Sequence, residues 1–205
     1  MKKIWAIGFW SGIIAFIFTV AYCIVQLLQV FHILHFPADE ILIYGTSLCI
    51  VIPFMIEILT LHYITPVEKR FWTHGALAFT IIYAVFVTAN YVVQLATVIP
   101  MKLKGVSNEI GILEQTPHSL FWDYDAIGYI FMGLGMLFAI PAFNREGFQK
   151  RVRLAFLANG LVTPLITFVY FYPNYSNQLL MLGLPWVITA PFAMLMLALL
   201  FIKEK

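Results

Sequence analysis

Six apolar segments fill this chain, each long enough for a helix to cross a hydrocarbon core about 30 Å thick, which takes roughly 20 residues. Leu, Ile, Val, Phe, Met and Ala dominate near residues 4–31, 41–63, 72–99, 121–143, 153–172 and 178–202, and the polar residues lie mostly between these stretches. The pattern predicts an all-α polytopic membrane protein, with six transmembrane helices in one bundle and a single domain over residues 1–205. Charged residues make up 11% and hydrophobic residues 62% of the chain. A soluble domain carries about 25% charged and 45–50% apolar residues, so a bilayer must cover the surplus. The net charge of +2 is too small to imply nucleic acid.

The two cysteines, Cys23 and Cys49, both lie inside apolar segments, where a disulfide framework is not expected and each reads as a small hydrophobe. The Val20-Ala21-Tyr22-Cys23 stretch fails as a lipidation site, because Tyr22 is bulky where a small residue is needed. Met1-Lys2-Lys3 before an apolar run resembles a secretory signal. That run is too long for an ordinary signal core and lacks a small-x-small cleavage site, so it reads as the first permanent span.

Charge alternates between the loops. Lys2 and Lys3 precede the first span, and the first loop carries Asp39 and Glu40 but no Lys or Arg. The second holds Lys69 and Arg70, and the fourth holds Arg145, Lys150, Arg151 and Arg153. The fifth is uncharged, and the chain ends in Lys203-Glu204-Lys205. Positive-inside insertion then puts both termini in the cytoplasm. Only the third loop dilutes the pattern, with Lys102 and Lys104 balanced by Glu109 and Glu114. Trp5, Trp72, Trp122, Tyr63, Tyr172 and Tyr175 fall near span ends, where aromatic anchors collect. The third loop is the longest, near Pro100 to Leu120, and its Asn108–Gln115 stretch reads as a short surface helix or an ordinary loop. Such a loop is placed to cap a cavity.

Gly8-x-x-x-Gly12 in the first span and Gly135-x-x-x-Ala139 in the fourth allow close helix approach, within the chain by default or in a homo-oligomer. Pro53, Pro164, Pro185 and Pro191 lie inside predicted spans, where each removes a backbone hydrogen bond and can kink its helix.

Glu57 is the residue least at home, with Val51-Ile-Pro-Phe-Met-Ile before it and Ile-Leu after it. A charged carboxylate at such depth costs about 2.5–3.5 kcal/mol, so it should face the bundle interior. Asn159 lies at comparable depth on the fifth span and heads a polar stripe with Thr163 and Thr167. Ser11, Thr80 and Tyr83 are further partners by depth. Glu57 with Asn159 therefore reads as a proton-linked couple or as a helix lock.

A second polar group is expected toward the outer side. Thr19, Tyr22, Gln26 and Gln29 share a face of the first span, and Tyr83, Asn90, Gln94 and Thr97 a face of the third. Asp123, Asp125 and Tyr129 open the fourth. Polar residues in spans rarely aim at lipid, so Gln26, Gln29, Asn90, Gln94, Asp123, Asp125 and Tyr129 read as the lining of a wet outward pocket. The competing reading is interhelical glue, at about 0.6 kcal/mol per contact. His32, His35, Asp39 and His118 lie toward the same face, but no recognised metal motif such as HExxH is present. Neither a GxSxG elbow nor a histidine pair bracketing a haem plane appears, and no cofactor is expected.

Asn90-Tyr-Val-Val-Gln94, Phe121-Trp-Asp-Tyr-Asp125 and Gly128-Tyr-Ile-Phe-Met-Gly-Leu-Gly-Met136 resemble a broad group of uncharacterised bacterial six-span membrane proteins. The resemblance implies this fold and the bacterial cytoplasmic membrane, and brings no substrate or catalytic residue. Three functions remain open: binding, transport or sensing of a small polar or amphiphilic ligand; an accessory role beside a membrane partner; and lipid chemistry using Asp123, Asp125 and the histidines. Membrane lipids are partners in all three.

Overall fold

The computed structural model describes residues 2–106 and 110–204, and these are all helix, turn and loop. Six stretches are long and apolar enough to cross a membrane, the length and composition that a multi-pass membrane protein requires. They contain α1 (Lys2–Val30), α2 (Ala38–Ile64), α3 (Arg70–Val93), α4 (Leu120–Ala139), α5 (Gly147–Phe171) and α6 (Pro185–Lys203). Each helix packs against its neighbours in sequence, and α6 closes on α1, so the six form a ring.

Side-chain size is sorted across the ring. On α1 the buried face is Gly8, Gly12, Ala15, Thr19 and Cys23, while Ile7, Trp10, Ile14, Ile17 and Ile24 are exposed. Lipid is as apolar as leucine, so close approach through small residues drives packing here. A Cβ at Gly8 would lie 2.5 Å from Thr60 Cγ2 and 2.9 Å from Phe201, and one at Gly12 would overlap the Glu57 carboxyl and sit 2.7 Å from Ala198. The Gly8–Gly12 face is therefore occupied by α2 and α6 of the same chain. Gly135 likewise faces α3, where a Cβ would stand 3.2 Å from the Ala76 carbonyl.

The helix ends have identifiable causes. α1 stops with His32 at φ 56°, where the His32 and Ile33 amides donate to Gln29 and Leu28 carbonyls in a Schellman closure. Ser119 caps α4 by accepting from the Trp122 amide at 3.1 Å. Beyond Val93, α3 continues through a π turn, Gln94–Val98, into a last helical turn, Ile99–Leu103. Pro100 explains the wide turn: its ring would meet the carbonyl four residues back in an α-helix, and the wider winding relieves that contact.

Four expectations change. The third rod runs past Pro100 to Leu103, so the loop after it is shorter than the sequence suggested. Its Ile110–Gln115 portion forms turns rather than a helix, while Asn108 and Glu109 lie outside the described residues. Pro185 starts α6 instead of lying inside it, where its missing N–H leaves no partner unsatisfied. Trp122 is buried against Tyr170 at a ring distance of 4.5 Å, and is not an interfacial anchor.

Candidate functional site

Asp125 is the centre of the polar interior. It sits on the second turn of α4 and is 3% exposed. Oδ1 accepts from the Tyr91 hydroxyl at 2.9 Å and the Asn90 amide at 3.4 Å, and Oδ2 accepts from the Tyr170 hydroxyl. The donors come from α3 and α5, so one side chain ties three helices. All three partners are groups able to donate to the acid. Among the described residues no Lys, Arg or His nitrogen lies within 4.0 Å of it.

The roof above Asp125 is the loop. The Asn90 amide also donates to Gln115 Oε1 at 2.9 Å. Gln94 donates to the Leu113 carbonyl at 2.7 Å and accepts from the Gln115 amide at 3.2 Å. Both amide side chains are fully buried. Lys102 holds the roof down: its ammonium lies 2.6 Å from Glu40 Oε1 and 2.7 Å from Glu114 Oε1. That clasp joins the end of the third rod, the start of α2 and the loop. It also accounts for a lysine on the face otherwise poor in basic charge.

Below Asp125 the lumen is aromatic. The Tyr22 and Tyr129 hydroxyls are 2.8 Å apart, and Trp186 stands edge-on to both rings at 5.8 and 5.0 Å. These three, with Tyr83, Tyr91 and Ser47, surround a cavity of ≈ 10 Å³, about what one water requires. The expected pocket is thus closed by the loop and its own hydroxyls, rather than open and wet.

The structure brings Asn90, Gln94, Asp125 and Tyr129 into this column, and separates the other expected residues. Asp123 is exposed on the far side of α4, because residues two apart on a helix do not share a face. Gln29 donates to Asp39 Oδ2 at 2.9 Å, which closes the α1–α2 corner away from Asp125. Gln26, on the same stretch of α1, is half-buried and makes no hydrogen bond to Asp125. Sequence reasoning missed Tyr91, Tyr170 and Gln115. Tyr170 lies seven residues beyond Thr163, on the stripe already visible at Asn159 and Thr163; Gln115 sits on a loop and left no periodic signal.

Glu57 and Asn159 do not meet. Asn159 donates to Met136 Sδ at 3.0 Å and accepts from Thr189 at 3.0 Å, so it bridges α4, α5 and α6. Glu57 is fully buried, and neither carboxyl oxygen has a hydrogen-bond partner, Ser11, Thr80 and Tyr83 included. Matching depth failed as a guide because rotation about each helix axis decides the pairing: Glu57 points at the Gly12–Ala198 seam between α1 and α6. Among the described residues no three His, Cys, Asp or Glu side chains converge.

Fold and site together define an all-helical protein with six stretches long and apolar enough to cross a membrane and a closed tyrosine–carboxyl column at one end of its lumen. Comparison with known protein families, with characterised proteins and with solved structures finds no match.

Proposed function

We propose that the protein binds a small polar or amphiphilic ligand carrying positive charge in the Asp125 column, and transports or senses it. Asp125 carries this reading: a carboxyl with three donors and no cation beside it, above a ring of tyrosines and Trp186. Aromatic faces attract organic cations, and a buried acid supplies the countercharge. Entry is from the roof side. Asn90 and Gln94 both hydrogen-bond to the loop, and Asn90 also reaches Asp125, so lifting the loop frees donors that already face the acid.

The reading places the chain in a bacterial cytoplasmic membrane with both termini inside and the Asp125 end outward. Lys2, Lys3, Lys69, Arg70, Arg145, Lys150, Arg151 and Arg153 gather at one end of the bundle, whereas Lys102 at the other is paired with Glu40 and Glu114.

The test is native mass spectrometry of protein extracted gently from its own membrane. A discrete small-molecule adduct is expected in the wild type and absent from Asp125→Asn and from Asn90→Leu with Gln94→Leu. A bare wild-type protein overturns the reading.

One observation favours a second reading, an accessory protein whose column only locks helices: the lumen has room for about one water. A stoichiometric membrane partner in the same spectrum selects it. Lipid chemistry by paired carboxyls loses its basis, since Asp123 and Asp125 occupy opposite faces of α4.

A further inference from the structure

At the end of the bundle that holds Arg70, a trough of ≈ 550 Å³ opens between α3 and α4. Gly75 and Ala78 form its floor, and Phe71, Phe79 and Phe138 form its walls. The Phe138 ring reaches across from α4 into the place a Gly75 side chain would take, so Gly75 is what lets Phe138 line the trough. Its mouth carries three nitrogen-bearing side chains, His62, Arg70 and His74.

These groups are set in place by the protein and left unsatisfied toward the trough. Arg70 Nε donates to the Thr65 carbonyl at 3.0 Å, which fixes the guanidinium and frees its terminal amino groups. Among the described residues no carboxylate lies within 4.0 Å of Arg70. His62 Nδ1 pairs with Thr73 Oγ1 at 3.0 Å, which leaves Nε2 as the free ring nitrogen. The His74 ring lies 5.4 Å from that of His62. The free terminal amino groups of the Arg70 guanidinium are donors for phosphate oxygens, with the two imidazoles beside them.

The dimensions fit a lipid. From Arg70 to Phe79 the helix rises about 13 Å, close to the roughly 15 Å of one hydrocarbon leaflet. The polar mouth thus lies at headgroup level and the apolar trough at acyl-chain level. We infer that the Arg70–His62–His74 mouth and the Gly75–Phe138 trough form a binding site for one anionic phospholipid, its phosphate on the cationic mouth and one acyl chain along the floor.

The probe is phosphatidylglycerol offered in equal amount with phosphatidylcholine to the full-length protein in detergent, with retained lipid read by native mass spectrometry. Wild type is expected to keep one phosphatidylglycerol in about tenfold preference, the ratio that 1.4 kcal/mol supports. Arg70→Gln with His74→Gln is expected to abolish the preference, and Ala78→Phe, which fills the trough at an exposed position, to abolish retention. Equal retention of both lipids by the wild type overturns the site, as does wild-type behaviour in both variants. Displacement of the phosphatidylglycerol by millimolar inorganic phosphate also overturns it, since the mouth would then hold a free anion. Quenching of Trp72, which stands 5.2 Å from Phe138, by dibrominated phosphatidylglycerol gives an independent readout in vesicles. Quenching equal to that by dibrominated phosphatidylcholine counts against the site.

Discussion

The Tyr91 hydroxyl on α3 donates to Asp125 Oδ1 on α4 across 2.9 Å, at a depth where both groups are closed off from solvent. Asp125 is therefore a shared acceptor for two neighbouring helices, and its removal strands donors on both. Asp125→Leu is expected to destabilise the bundle by on the order of 3 kcal/mol, because Tyr91, Tyr170 and Asn90 lose their acceptor together. Tyr91→Phe should cost only about 1 kcal/mol, the scale of a single interhelical contact in lipid. Unfolding equilibria in bicelles for both variants check the ordering; equal losses contradict the shared-acceptor arrangement.

Glu57 behaves in the opposite way. With no partner to lose, Glu57→Leu is expected to stabilise the protein by about 1–3 kcal/mol, the desolvation penalty of an unsatisfied buried polar group. Glu57→Gln, which keeps the polarity, should gain less. A destabilised Glu57→Leu protein in the same assay would restore the helix-lock reading of this residue.

Release of the roof has its own readout. Lys102→Met removes the ammonium that both Glu40 and Glu114 contact, and amide exchange over residues 110–116 should quicken about tenfold, equivalent to about 1.4 kcal/mol. Exchange in α4 should be unchanged. Unaltered loop protection would show that Asn90 and Gln94 suffice to hold it.

The glycine seam makes a prediction about assembly. Gly12→Leu is expected to prevent folding, since the new side chain would overlap the Glu57 carboxyl and Ala198. Gly8→Ala is milder, displacing Thr60 and Phe201, and should cost about 1–3 kcal/mol by overpacking. Neither change acts through a dimer. A Gly8→Ala protein that keeps its stability but shifts from dimer to monomer in cross-linking would show that α1 is an external face.

How far the sequence could be read depends on what each feature requires. Helix number followed from apolar runs of membrane length, because the bilayer imposes that length on each span separately. Asn90, Gln94, Asp125 and Tyr129 were identifiable because buried polar residues in lipid stand out one at a time. Pairing was less accessible. Glu57 and Asn159 share a depth but not a seam, since rotation about a helix axis is fixed by neighbours such as Gly12 and Ala198. Asp123 was misplaced by proximity in sequence to Asp125, an error that the 3.6-residue helical period alone corrects. The loop bonds through Leu113 and Gln115 had no periodic signature.

The Gly12–Ala198 enclosure has a consequence for biosynthesis. Glu57 on α2 is synthesised well before Ala198 on α6, so one wall of the carboxyl's chamber is missing while the helices between them are made. Until α6 arrives, that acid must shelter against the insertion machinery or surrounding water. A nascent chain halted before Ala198 therefore carries an acid that its own helices only partly enclose.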